Sequence, residues 1–123
     1  MSKSYQHFIN GQTVQGTSGR TSDIFNPSLG EVTSHVALAT TGELNDAVAA
    51  AKAALPEWSA MNPQRRARVL FNFKSLVEAH ADELARILSE EHGKVLADSL
   101  GDIQRGLDVI EFACGVPHLL KGE

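Results

Sequence analysis

The stretch that decides the fold is Asn62–Gly93, NPQRRARVLFNFKSLVEAHADELARILSEEHG. Asn62 is a favourable N-cap residue, and Pro63 suits the first helical position, where its missing N–H costs nothing. Apolar residues then recur at the spacing of one helix face, and Gly93 is a typical C-terminal stop. The members of this stripe are Val69, Leu70, Phe73, Leu76, Val77, Leu84, Ile87 and Leu88. The pattern predicts one long amphipathic helix over these residues.

Two further helices are predicted, one on each side of this stretch. The earlier helix begins at Thr41 as its N-cap, and Pro56 ends or kinks it. The later helix runs from about Val95 to Phe112, and Pro117 ends it. Its apolar seam must pack on another helix. The seam consists of Leu96, Leu100, Ile103, Leu107 and Ile110.

The first third of the chain carries strand and turn signals. Tyr5–Ile9 and Gln12–Gln15 flank Asn10-Gly11, a dipeptide that supplies the positive φ angles of a two-residue hairpin turn. Ser22–Phe25 is a second short strand, stopped by the turn that begins at Asn26-Pro27. Glu31–Ala39 alternates as a half-buried strand does. We therefore expect a strand-rich arm over residues 1–40 and a helical part over residues 41–123.

Composition limits the classes of function. The chain has 123 residues, a net charge of −4 and no basic block, which argues against nucleic acid as a partner. No apolar run approaches the ~20 residues of a membrane-spanning helix. The N-terminus carries no secretory or transit pattern. The single cysteine rules out an internal disulfide framework, and the prediction is a cytoplasmic protein, with a mitochondrial relative whose leader has been removed as the alternative.

Few residues are candidates for chemistry. Cys114 follows Ile110 by four residues on the apolar seam, so it is expected to be a small buried core residue and not a nucleophile. Gly101 and Gly106 do not make a nucleotide fingerprint, and Gly93-Lys94 lacks the other residues of a phosphate loop. The five histidines show no metal-ligand spacing, so no metal site is predicted.

Arg105 lies off the apolar seam, between Asp102 and Asp108. By pattern alone, a surface ion pair of under about 1 kcal/mol is the favoured interpretation. The other charged groups are also interpreted as surface groups without a role in chemistry. Arg65, Arg66 and Arg68 are expected to form a solvated face, His80 and Glu83 a surface pair, and Glu90 and Glu91 another solvated face.

Several segments together resemble the opening of an aldehyde dehydrogenase. HFINGQTVQG is similar to the family's "INGxWV" hairpin, with Thr13 where Trp is common, and IFNPSLGEV is similar to its "NPATGEV" strand pair. EEHGK matches the common "ExGK" at the end of a helix. RRARVLFNF and GLDVIEFACGVPHLLKGE narrow the resemblance to the CoA-acylating methylmalonate-semialdehyde dehydrogenases.

The resemblance implies an α/β fold of which this chain supplies the N-terminal part, namely a hairpin and short strands, then three helices of an incomplete nucleotide-binding domain. It implies NAD-dependent oxidation of methylmalonate or malonate semialdehyde, with decarboxylation, to an acyl-CoA. NAD, coenzyme A and a homotetramer are expected of the whole enzyme, as is a place in valine or inositol breakdown. The residue matching Arg105 is implied to hold the substrate carboxylate.

The resemblance covers about the first quarter of such an enzyme. The nucleotide-binding βαβ units, the catalytic cysteine segment and the activating glutamate region are expected to lie elsewhere, and the chain alone is expected to be inactive. Two alternatives stay open, another aldehyde dehydrogenase subfamily and a non-enzymatic helical interaction module. A fragment that docks on intact enzyme is a third possibility.

Overall fold

A computed structural model describes residues 3–120 and 122. Strands occupy the first part of the chain and helices the remainder, which confirms the predicted α/β class. The described residues form five helices where three were predicted. The chain divides into two compact units, Met1–Ser59 and Ala60–Glu123. The division into segments 1–40 and 41–123 stays a prediction, and their termini include Met1, Ser2, Lys121 and Glu123, outside the described residues.

The strands are short. They are β1 Lys3–Tyr5, β2 His7–Ile9, β3 Gln12–Val14, β4 Thr21–Asn26 and β5 Glu31–Ala37. The helices are α1 Thr41–Ala60, α2 Pro63–Ala79, α3 Ala81–His92, α4 Leu96–Cys114 and α5 Val116–Leu119.

The predicted hairpin is confirmed as β2 and β3, which pair antiparallel with Phe8 opposite Thr13. The turn between them has positive φ at both central residues, 52° at Asn10 and 74° at Gly11. Asparagine tolerates this conformation better than most residues, and glycine adopts it without strain. The Asn-Gly pair therefore sets the register of the hairpin, as its sequence predicts.

A three-stranded sheet has the order β1-β5-β4. β4 and β5, the two strands predicted around this turn, pair antiparallel, with a register shift between Ile24 and Phe25. The turn between them is held by Asn26, whose side-chain oxygen accepts from the backbone N–H of Ser28 at 2.9 Å. This Asx turn explains why β4 stops at Asn26-Pro27.

The partner of β5 on its other edge is β1, and the sequence did not predict it. Tyr5 was placed in the hairpin, but it belongs to β1 and pairs with Val36 in parallel. Gln6 separates β1 from β2, and its side-chain oxygen accepts from the backbone N–H of Gly16 at 3.1 Å. Parallel pairing joins distant segments, so a local pattern does not reveal it.

Helix α1 is capped by Thr40, and the prediction of Thr41 as N-cap is wrong by one residue. The Glu43 backbone N–H donates to the Thr40 hydroxyl at 3.1 Å, while the Glu43 carboxylate accepts from the Thr40 backbone N–H at 2.7 Å. This reciprocal pair is a capping box. Pro56 does not end the helix, which continues to Ala60, because a proline near the C-terminus removes only one of several backbone hydrogen bonds.

The predicted long helix over 62–93 is two helices, α2 and α3, separated at His80. The caps at its outer ends are confirmed. The Asn62 side chain accepts from the backbone N–H of Gln64 at 2.9 Å, and Gly93 ends α3 in the left-handed conformation with φ 83°. At His80 the backbone leaves helical geometry, with φ −112° and ψ 14°. The break lets α2 and α3 each pack on α4.

Helix α4 extends to Cys114, slightly past the predicted end. Pro117 does not end it, because it lies in the first turn of α5, where proline is tolerated. The core of this unit is small and lies where α2, α3 and α4 meet. Its most buried side chains are Ala67, Ala85, Ser99, Leu107 and Cys114. Among the described residues, we find no helix that combines the length and the apolar character needed to cross a membrane.

Candidate functional site

Arg105 lies in the middle of α4 and points its charge outward. Its side chain is 74% exposed, and its Nη1 forms an ion pair with Oδ1 of Asp102, one helical turn earlier. The sequence placed Arg105 between two aspartates, but the structure gives it only the first. Asp108 instead accepts from the Gln104 side-chain amide at 2.9 Å. The predicted surface ion pair is thus present.

Asp102 has a second cationic partner that the sequence did not indicate. Nζ of Lys94 pairs with Oδ2 of Asp102, so each carboxylate oxygen faces one cation. The Lys94 ammonium lowers the pKa of Asp102 below its ordinary value, and the charges of Arg105 and His92 add to this effect. We refer to Lys94, Asp102 and Arg105 as the α4 charge cluster.

Lys94 reaches Asp102 because the chain reverses direction at Gly93. The left-handed backbone of Gly93 ends α3, and its N–H donates to the Ser89 carbonyl at 2.8 Å. Lys94 then lies in the short connection that leads into α4. Helix periodicity cannot reveal an interaction across such a connection. The signal that the sequence offers is the predicted glycine cap Gly93 directly before Lys94, which places the lysine at the start of the connection.

The opposite side of α4 is anchored in the core. The Ser99 hydroxyl is fully buried and lies 2.8 Å from that of Ser89 on α3. Leu107 is also buried. These contacts fix the rotation of α4 about its axis, so Arg105 is held on the outer side by a well-packed helix.

The cluster is suited to binding an anion and not to covalent chemistry. A guanidinium carries five N–H donors, and the ion pair with Asp102 uses Nη1. The exposed part of the group can therefore receive a carboxylate in the two-pronged geometry that arginine favours. The described residues contain no group of three or more His, Cys, Asp or Glu side chains that could hold a metal ion.

Cys114 is buried, as predicted, with 7% of its surface exposed. It borders an open cleft of about 460 Å³ between α2, α4 and α5, together with Ala67, Phe71 and Pro117. The absence of a catalytic role for Cys114 stays a prediction, since burial alone does not test it.

The remaining charged groups follow the predictions with one exception. His80 and Glu83 form the expected exposed pair at 3.0 Å, and Glu90 and Glu91 are exposed. Arg65 and Arg68 are exposed as well. Arg66, however, is half-buried, and its Nε has no hydrogen-bond partner among the described residues. The prediction of a fully solvated arginine face is therefore wrong at Arg66.

Comparison with known proteins agrees with the resemblance. The aldehyde dehydrogenase family model matches residues 13–123. Malonate-semialdehyde dehydrogenase 3 of Geobacillus kaustophilus is 46% identical over 121 residues, which are 98% of this chain and 25% of that protein.

Two solved structures have a closely similar backbone fold over this chain. A Sinorhizobium meliloti protein assigned as a methylmalonate-semialdehyde dehydrogenase, solved with NAD, is 55% identical, with a TM-score of 0.95. The methylmalonate-semialdehyde dehydrogenase of Oceanimonas doudoroffii is 46% identical, with a TM-score of 0.94. Each match covers 100% of this chain and 25% of the other. The chain thus spans about a quarter of the length of the relatives it matches.

Proposed function

Because this chain belongs to the aldehyde dehydrogenase family, we propose that it is the N-terminal part of an NAD-dependent, CoA-acylating methylmalonate- or malonate-semialdehyde dehydrogenase. The observation that carries the proposal is the 46% identity, over 98% of the chain, to a malonate-semialdehyde dehydrogenase. The 55% identity to a methylmalonate-semialdehyde dehydrogenase structure supports it. The proposed reaction converts the semialdehyde, CoA and NAD⁺ to propanoyl-CoA or acetyl-CoA, carbon dioxide from the carboxylate, and NADH.

The residues of this chain do not fit a nucleotide site. Gly101 and Gly106 lie inside α4, where their backbone N–H groups belong to the helix and cannot cradle a phosphate. When bound, NAD accepts hydride and CoA accepts the acyl group. We propose that both are held by other parts of the enzyme, which also supply the nucleophile and the general base. The isolated chain is then inactive.

Arg105 is the residue of this chain that we propose to contact substrate. A semialdehyde of this class carries a carboxylate, and a largely exposed guanidinium on a fixed helix is a suitable partner for it. In this role Arg105 orients the aldehyde and selects substrates with a carboxylate over those without one. Homotetramer formation and a place in valine or inositol breakdown remain predictions from the resemblance, and cytoplasmic location remains a prediction from the sequence.

The role of Arg105 is tested by the substitution Arg105→Leu in a full-length enzyme that contains this chain as its N-terminal part. The kcat/KM ratio for malonate semialdehyde over propanal should fall roughly tenfold to a hundredfold, since a hydrogen-bonded charge pair is lost. Arg105→Lys keeps the charge without the fork and should fall between wild type and Arg105→Leu.

The matched control is Arg86→Leu, which removes an exposed arginine from the neighbouring helix α3. Its selectivity should equal that of the wild type. An unchanged ratio in Arg105→Leu would exclude the proposed contact while leaving the family assignment intact.

The alternative, an interaction module, would use an exposed apolar face of α1. Leu44, Val48 and Leu55 on α1 are each 58% exposed, although their spacing places them on one helix face. An apolar face of this kind commonly packs on another protein surface. Size-exclusion chromatography with light scattering distinguishes the two functions. A stable, monodisperse assembly of the isolated chain would favour the module.

A further inference from the structure

The α4 charge cluster contains two cations and one anion, and the three groups differ in exposure. Lys94 is 19% exposed, Asp102 38% and Arg105 74%. Lys94 is thus largely covered and faces Asp102, whereas Arg105 is open to solvent. The excess positive charge of the cluster is presented by Arg105.

An Asp102–Arg105 pair without Lys94 would be neutral. A neutral pair attracts an incoming carboxylate weakly, because the aspartate repels the anion that the arginine attracts. Lys94 changes this balance, since its ammonium pairs with the second oxygen of Asp102. In agreement with this, Lys94 makes the largest contribution to lowering the pKa of Asp102.

The backbone position of Lys94 is set by the connection between α3 and α4. It follows directly on Gly93, the left-handed cap of α3, and the Ser89–Ser99 contact holds α3 against α4. The Lys94 ammonium therefore lies at one oxygen of Asp102, while Arg105 lies at the other. Asp102 in turn holds Nη1 of Arg105 and restricts the rotation of the guanidinium.

We propose that Lys94 is a specificity-determining residue that neutralises Asp102 and so leaves the charge of Arg105 available to the carboxylate of the substrate. This inference rests on the proposed function of Arg105. Lys94 does not touch the substrate; it acts through Asp102. The ligand class is a small carboxylated aldehyde, and malonate is a suitable non-reacting probe of the same charge type.

The test uses Lys94→Met in a full-length enzyme that contains this chain. The KM for malonate semialdehyde and the inhibition constant of malonate should each rise about tenfold, because an uncompensated Asp102 then opposes the anion. Lys94→Arg restores the cation and should recover most of the loss. The double variant Lys94→Met/Asp102→Asn removes both charges, leaves Arg105 cationic, and should also recover malonate binding.

Lys74→Met is the matched control. Lys74 is 23% exposed and pairs with Glu78 on α2 and Glu111 on α4, so its loss disturbs comparable ion pairs that do not include Asp102 or Arg105. Its inhibition constant for malonate should equal that of the wild type. An equal effect of Lys74→Met and Lys94→Met, or no recovery in the double variant, would show a structural role and overturn the inference.

The two proposals fail in different ways. If Arg105→Leu loses its selectivity but Lys94→Met binds malonate as the wild type does, the role of Lys94 is wrong and that of Arg105 stands. If Arg105→Leu keeps its selectivity, the substrate contact is wrong, and the role of Lys94 fails with it.

Discussion

Asn62 and Gly93 set the outer ends of the α2–α3 segment through local chemistry that the sequence displays. An asparagine side chain can accept from an open N–H at a helix start, and a glycine adopts the left-handed conformation at a helix end without strain. Both were predicted, and both are confirmed. Thr40 shows the limit of this approach, because two adjacent threonines compete for the cap. The deciding residue is Glu43, three positions after Thr40, which completes the capping box.

Glu43 also joins segments that are distant in sequence. Besides the Thr40 N–H, its carboxylate accepts from the backbone N–H of Thr17 at 2.7 Å and from the Thr17 hydroxyl at 2.9 Å. The N–H groups of Thr40 and Thr17 lower the pKa of the buried Glu43 to about 2, from an ordinary value of 4.5. The carboxylate thus holds the loop before β4 against the start of α1.

This pKa predicts how the stability of the chain depends on pH. The folded state favours the charged form of Glu43, so its contribution is complete above pH 4.5 and is lost as the pH falls toward 2. Glu43→Gln should lower the urea midpoint at pH 7, and the difference from wild type should shrink steadily as the pH falls from 4.5 to 3. Urea unfolding followed by circular dichroism measures both.

The control for this prediction is Glu57→Gln, which removes an exposed carboxylate from the same helix. Its midpoint should stay close to that of the wild type at every pH. A Glu43→Gln midpoint that differs from the wild type by the same amount at pH 7 and pH 3 would contradict the assignment.

At the scale of elements, the break at His80 is the largest difference between the predicted and observed helices. The apolar stripe continues through this position, and neither Gly nor Pro marks it. The stripe therefore does not predict the interruption, and it is only partly covered: four of its members are half-buried (Leu70, Val77, Leu84 and Leu88) and four are exposed (Val69, Phe73, Leu76 and Ile87). The break follows from packing, because α2 and α3 both contact α4 and a single straight helix would follow only one direction across it.

The contact between α3 and α4 predicts the effect of removing one hydroxyl. Ser99 is fully buried, and its hydroxyl lies 2.8 Å from that of Ser89. Ser99→Ala leaves the Ser89 hydroxyl without this partner and should lower the free energy of unfolding by about 1 kcal/mol. Chemical denaturation at pH 7 measures this difference.

Ser75→Ala on α2 is the comparison for this variant. The Ser75 side chain is exposed, and its hydroxyl donates to the Phe71 carbonyl at 3.3 Å within the same helix. Its change in stability should stay within about 0.5 kcal/mol. Equal losses in the two variants would mean that the buried Ser89–Ser99 pair adds nothing to the packing of α3 on α4.

At the scale of the whole molecule, the chain carries more exposed apolar surface than its patterns predict. The seam residues Leu96 and Leu100 are 46% and 38% exposed, and Leu119 and Leu120 are 64% and 60% exposed. The chain also spans about a quarter of the length of its relatives. Both observations support the proposal that these residues work as part of a larger protein.

This proposal predicts that the isolated 123-residue chain does not reduce NAD⁺ in the presence of malonate semialdehyde and CoA. The expected result is no NADH absorbance above a protein-free reaction, because the chain has a buried cysteine and no nucleotide fingerprint. A full-length relative serves as the positive control. The isolated chain should also bind more of an apolar dye per unit mass than the full-length relative does. Formation of NADH by the isolated chain would contradict the proposal.

The sequence by itself determined the class of the fold, the hairpin turn, the helix caps at Asn62 and Gly93, and the family, because these depend on neighbouring residues and on short sequence motifs. It predicted a surface ion pair for Arg105, placed between Asp102 and Asp108, and the structure pairs it with Asp102. Only the tertiary structure decided the parallel β1–β5 pairing, the break at His80, the Glu43–Thr17 contact and the Lys94–Asp102 pair. Each of these depends on how segments that are separated in sequence pack against one another, and local periodicity carries no information about that packing.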